Sequence, residues 1–138
     1  MMIFKSNFRI KVRSIMAERI EELRANLENI GRDLTHLASL DKLGPIYERK
    51  DIISQIASLL SNKENSILLV GEPGTGKNAV VEGLARWMAR KEVDLPYKKI
   101  IECNQSRFQA FCLYAHELET KTELIVEELR KNDAILFF

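Results

Sequence analysis

The sequence predicts an α/β domain with a partial parallel sheet and flanking helices, preceded by a long amphipathic helix. Short apolar runs at 66–70, 99–103 and 134–138 alternate with stretches of helical period, the pattern of strands joined by crossover helices. A glycine-rich loop, Gly71-Glu72-Pro73-Gly74-Thr75-Gly76-Lys77, joins the first run to the amphipathic stretch behind it. Ahead of both, Met16, Ile20, Leu23, Leu27, Ile30, Leu34 and Leu37 are spaced 4, 3, 4, 3, 4, 3, a 3.5-residue repeat that lines one stripe of a helix.

The elements follow in chain order. Residues 1–13 carry Lys5, Arg9, Lys11 and Arg13, and Phe4, Phe8, Ile10 and Val12 fall on alternate positions, with Ser6 the polar exception. That period fits a strand or a disordered lead-in rather than an amphipathic helix. Residues 14–40 form the heptad helix, with Glu18, Glu21, Glu22, Arg24, Glu28 and Arg32 on its other faces. Its stripe suits either a coiled-coil seam for another helix or subunit, or packing on its own domain. Gly31 weakens the helix by about 1 kcal/mol without breaking the pattern.

Leu43-Gly44-Pro45 marks a boundary, and residues 41–138 are read as the main domain. A helix over about 48–61 presents Ile52, Ile53, Ile56, Leu59 and Leu60 on one face. Ser66-Ile67-Leu68-Leu69-Val70 reads as a strand buried on both faces. The helix from Lys77 to about Arg90 has Val80, Val81, Leu84 and Met88 inside. A second strand over 99–103, a short helix over 106–112, a helix over 117–131 and a third strand ending at Phe138 complete the chain.

Bulk properties exclude several classes. A chain of 138 residues is one domain, or one domain with an extension. The formal charge of +1 gives no electrostatic reason to bind nucleic acid. No apolar run is long enough for a membrane span, and no apolar region follows the basic start as in a secretory signal. Cys103 and Cys112 form no C-x-x-C pair, and His36 and His116 are the only histidines. A zinc site is therefore not expected, and two reduced thiols suit a cytoplasmic protein.

The glycine-rich loop carries the chemistry. Gly71-x-x-x-x-Gly76-Lys77 is the phosphate-binding pattern up to its last position. Glycines let a loop turn its N–H groups inward around a phosphate. The helix that follows adds a partial positive charge at its N-terminus, and Lys77 reaches the β- and γ-phosphates. Asn78 stands where a serine or threonine hydroxyl would hold Mg²⁺. Its amide oxygen sits on a longer arm, so weakened metal binding and slower hydrolysis are expected.

Gly71–Lys77, followed by Val80-Val81-Glu82-Gly83-Leu84-Ala85, closely resembles the first nucleotide-binding domain of Clp-type AAA+ unfoldases and disaggregases. The resemblance runs upstream to Pro45-Ile46-Tyr47-Glu48-Arg49, where that family passes the adenine and has glycine in place of Glu48. It runs downstream to Tyr114-Ala115-His116-Glu117-Leu118-Glu119, which is similar to the family's pore loop. The resemblance thus implies a P-loop NTPase (AAA+)-like fold with ATP or ADP held by residues 71–78, Ile46 and Tyr47. It also implies a weakly held Mg²⁺ at Asn78 and a substrate-gripping Tyr114, with His116 where the family has a flexible glycine. The family's members are hexameric rings that pull client polypeptides through a pore. The family follows the strand corresponding to Ile135–Phe138 with an Asp-Glu pair that holds Mg²⁺ and polarises the attacking water, and sensor, arginine-finger and lid elements lie beyond. This sequence stops at Phe138, and Glu117, Glu119, Glu127 and Glu128, expected on a solvated helix, are no substitute. The expectation is an ATP-binding domain that hydrolyses poorly. The alternative is a non-enzymatic protein that docks through the heptad helix on itself or on an intact ring. In the family sheet a later strand separates those corresponding to Ile67–Val70 and Ile135–Phe138, so these two are expected to pair directly or to leave a gap.

Overall fold

The computed structural model describes residues 30–45, 49–62, 66–111 and 115–138. The strand-like lead-in 1–13, most of the heptad stripe (Met16 to Leu27) and the segment Ile46–Glu48 lie outside them, as does Tyr114.

The elements are β1 (Gly31–Asp33), α1 (Leu34–Ser39), α2 (Lys50–Ser61), α3 (Lys77–Ala89), β2 (Lys99–Cys103), α4 (Gln105–Phe111), α5 (Ala115–Lys131) and β3 (Ala134–Phe137). They form a three-stranded sheet in the order β1-β2-β3. The β2–β3 pair is parallel, with Ile100 opposite Ile135 and Ile101 opposite Leu136, as the alternation of strands and helices predicts.

The heptad helix does not run to Leu40. Gly31–Asp33 is instead a strand, antiparallel to β2, with Gly31 opposite Cys103. The cause is local. A side chain on Gly31 would place its Cβ 2.2 Å from the Glu102 carbonyl oxygen, so only glycine lets the two backbones come this close. Asp33 then caps α1 by accepting from the His36 N–H at 2.9 Å. Ile30 and Leu34 are both buried, but in different clusters, so they no longer share a stripe. The Thr35 hydroxyl accepts from the Ile100 N–H at 3.0 Å, tying α1 to β2.

Two hydrophobic clusters flank the sheet. The larger joins Leu34, Ile53, Ile56, Leu60, Val80, Val81, Leu84 and Ile100, with Ile135 and Phe137 packed against it. The smaller joins Ile30, Ile101, Cys103, Ile125 and Leu129. Helix α2 buries Ile53, Ile56, Ala57 and Leu60 but leaves Leu59 exposed, so its inner face is narrower than the spacing suggests. Glu128, expected in solvent, is buried, and its carboxylate accepts from the Asn132 amide at 2.9 Å.

The largest departure is Ser66–Val70, which forms no strand among the described residues. It keeps the two-residue period of one: Ile67 and Leu69 pack against the larger cluster. On the other face Leu68 and Val70 are each 86% exposed. The expected burial on both faces is therefore corrected to one. Of the two arrangements expected for this segment and β3, direct pairing does not occur.

Candidate functional site

Residues 71–77 lie between this one-sided segment and the first turn of α3. Every residue from Gly71 to Gly76 is exposed. Pro73 and Gly74 make the turn, and Thr75 closes it by donating to the Glu72 carbonyl through its N–H at 3.3 Å and its hydroxyl at 2.8 Å. The glycines sit where the backbone needs them. Gly74 and Gly76 have φ of 82° and 85°, a region that side chains other than glycine's disfavour. A Cβ on Gly71 would lie 2.8 Å from the Thr75 hydroxyl oxygen.

Gly76 is the N-cap of α3 and offers no side-chain acceptor to the first helical N–H groups. A helix leaves its first four N–H groups without intrahelical partners, so at this end they face the loop and carry the positive end of the helix dipole. The Lys77 ammonium folds back over the loop and donates to the carbonyls of Gly71 at 2.7 Å and Glu72 at 2.8 Å. The Lys77 ammonium, the start of α3 and the glycine turn thus lie together on the exposed surface; inward-turned amides in such a loop are one way a chain can cradle an anion.

Asn78 follows, exposed, on the side facing the C-terminal ends of β2 and β3. It lines a groove of about 480 Å³ with Arg32, Glu102, Asn104, Arg107 and Phe137, at the carboxyl edge where open α/β sheets bind ligands. Arg32 is held there by hydrogen bonding to Glu102 and lies 3.8 Å from Glu82 on α3. The Glu102 carboxylate beside it pushes the guanidinium even further up, so it stays cationic. Among the described residues no three His, Cys, Asp or Glu side chains gather to hold a metal. Asn78 offers a single amide oxygen, so Mg²⁺ here would depend on phosphates and water for its other ligands.

Cys103, at the end of β2, is a buried free thiol, and burial pushes its pKa up. Arg32 was expected on a solvated helix face and Glu102 inside a plain strand, and both line the groove instead. The signal that could have placed them was Gly31 as a close-approach glycine. A second missed group is Arg86 on α3, buried at 6% exposure, which donates to the carbonyls of Leu43 at 2.7 Å and of Gly44.

Comparison with known proteins bears on this geometry. A chloroplastic chaperone protein ClpC1 of Oryza sativa subsp. japonica is 36% identical over 115 residues, covering 81% of this chain and 12% of that protein. A chaperone protein ClpB of Wolinella succinogenes is 39% identical over 119 residues, covering 82% of this chain and 14% of that protein. Among solved structures, the S. cerevisiae Hsp104-ADP complex matches with a TM-score of 0.72 and 26% identity, over 81% of this chain and 20% of that one. The chain therefore spans 12% to 20% of the length of these relatives. No protein-family model matches.

Proposed function

Because the chain belongs to the Clp/Hsp104 family of AAA+ chaperone ATPases, we propose that it serves as a nucleotide-binding unit that holds ATP or ADP by the phosphates in the loop 71–77. The observation that carries this reading is the glycine turn ending at the start of α3 with the Lys77 ammonium folded over it. On binding, Lys77 exchanges two neutral carbonyl acceptors for anionic phosphate oxygens, which adds the attraction of opposite charges to bonds its ammonium already makes. Amides of the loop and first helical turn take the remaining phosphate oxygens. Ile46 and Tyr47, which follow the boundary at Pro45, flank the base. ADP in a solved Hsp104 complex is consistent with this for the family.

Mg²⁺ would supply charge neutralisation at the phosphates when bound, and Asn78 is the residue of this chain proposed to meet it. An amide oxygen on a longer arm meets it less well than a hydroxyl, so turnover near background is proposed. Brisk Mg²⁺-dependent hydrolysis by the purified chain would contradict that. In the whole protein, the proposals extend to assembly into a ring, a gripping role for Tyr114 and a polypeptide client. A cytoplasmic location is proposed too, and among the described residues no helix is long and apolar enough to cross a membrane.

The binding test is titration of ADP into the chain and into Lys77→Ala. Micromolar-range affinity that the substitution abolishes is expected, and equal affinity in both proteins would refute the phosphate-loop reading. A second reading rests on Leu68 and Val70, whose exposed face and unladdered backbone suit a strand from another copy or from an intact ring. Sizing of the chain across a concentration range tests it: a monomer throughout excludes self-association.

A further inference from the structure

The groove at the carboxyl edge of the sheet begins where the phosphate loop ends. Asn78 directly follows Lys77 and is the residue of α3 in its lining. Arg32 from β1, Glu102 from β2 and Arg107 from α4 line it too. Its volume of about 480 Å³ lies within the range of small-molecule sites. The two guanidinium groups differ. Arg32 is engaged, hydrogen-bonded to Glu102 and 3.8 Å from Glu82. The Arg107 side chain is exposed and makes no hydrogen bond or ion pair among the described residues. With Arg32 offset by Glu102, the lining keeps one uncompensated positive charge, and Arg107 carries it.

The backbone beneath Arg107 is held in place. The Asn104 N–H donates to the carbonyl of buried Ile30 at 3.0 Å, and the Asn104 carbonyl accepts from the Phe108 N–H at 2.9 Å. The Asn104 side-chain oxygen accepts from the Arg107 N–H at 3.2 Å. Arg107 is thus a long cationic arm on a fixed base, across the groove's lining from the end of the phosphate loop. A phosphate chain that runs from loop 71–77 past Asn78 enters this groove. We infer that Arg107 is a specificity-determining residue: it receives the third phosphate of a chain whose first two are held by the loop, so that the site prefers a nucleoside triphosphate to a diphosphate. A guanidinium suits that task, since its planar fork matches phosphate oxygens two at a time. The inference rests on the nucleotide reading above and deepens it.

The test compares inorganic tripolyphosphate with pyrophosphate, which differ by one phosphate and carry no base, in the wild-type chain, Arg107→Gln, Arg107→Lys and Lys91→Gln. Lys91 is an exposed control just past the far end of α3, about 20 Å from the loop at the usual rise and beyond the reach of charge in physiological salt. The wild-type chain is expected to prefer tripolyphosphate. In Arg107→Gln its affinity should fall about tenfold, the scale of losing charge-assisted bonds, while that for pyrophosphate stays within about twofold. Arg107→Lys, which keeps the charge and loses the fork, should give a smaller loss, again confined to tripolyphosphate. Lys91→Gln should change neither ligand by more than about twofold. ATP against ADP should repeat the pattern, and a loss confined to the inorganic chains would overturn the inference. Equal losses for the two chain lengths in Arg107→Gln, no loss for either, or the same selective loss in Lys91→Gln would overturn it as well. A wild-type chain that binds pyrophosphate as tightly as tripolyphosphate also overturns it while leaving the phosphate loop standing. A wild-type chain that binds none of the four ligands removes the nucleotide reading itself.

Discussion

The two flanks of the phosphate loop are built differently. On its C-terminal side α3 is embedded: Val80, Val81, Leu84 and Ala85 are buried, and Arg86 bonds inside the protein. On its N-terminal side Ser66–Val70 touches the core through Ile67 and Leu69 alone, and Leu68 and Val70 stand in solvent. Both flanks are apolar in sequence, and a helix satisfies its own backbone whereas an extended segment needs a neighbour. The loop is therefore set from the helix side. The two Lys77 bonds to Gly71 and Glu72 tie the loosely held flank to the firmly held one.

The comparison breaks most sharply on paired substitutions. Leu84→Ala, at 3% exposure, should cost about 2–5 kcal/mol, whereas Leu68→Ala, on the bare face, should change stability by less than about 0.5 kcal/mol. Similar costs for the two by chemical denaturation would mean that the flanks are equally packed. Gly76→Ala comes next, at about 1–2 kcal/mol, because it forces a side chain into a φ of 85° at the helix start. A neutral result there would show that the loop is not set from the helix. Lys77→Ala sharpens the picture without touching the core: NMR order parameters at 66–72 should fall while those of α3 after its first turn stay unchanged.

The smallest effect lies on the sheet, away from both flanks. Burial raises the Cys103 thiol pKa, so its contribution to stability is intact below the unfolded-state value and is lost as pH rises through the folded one. Thermal unfolding of the wild-type chain and of Cys103→Ala should therefore converge or cross above the ordinary thiol range, about pH 8.5. Parallel curves from pH 7 to 10 would show the thiol to be less buried than it is drawn.

What was legible in the sequence was short-range. The glycine turn, α3 and the parallel β2–β3 pair follow from residues within one or two turns or strands of each other. Gly31–Asp33 was misread because the spacing of Ile30, Leu34 and Leu37 fits a helix as well as it fits a strand leading into a capped turn. The deciding fact, the Glu102 carbonyl 2.2 Å from where a side chain would sit, is 71 residues away in sequence. Ser66–Val70 was read as doubly buried because apolar content reports what a segment would bury, not whether a neighbour is there to cover it. The carbonyl partners of Arg86, 42 and 43 residues distant, left no mark on the local pattern at all.

The most direct test is an amide-resolved titration of the isotopically labelled chain with ADP. The N–H signals of Gly71 and of Gly74 to Asn78 should shift first and furthest. A binding curve in which residues 71–78 stay silent while signals elsewhere move would contradict the claim that this loop and its helix hold the phosphates.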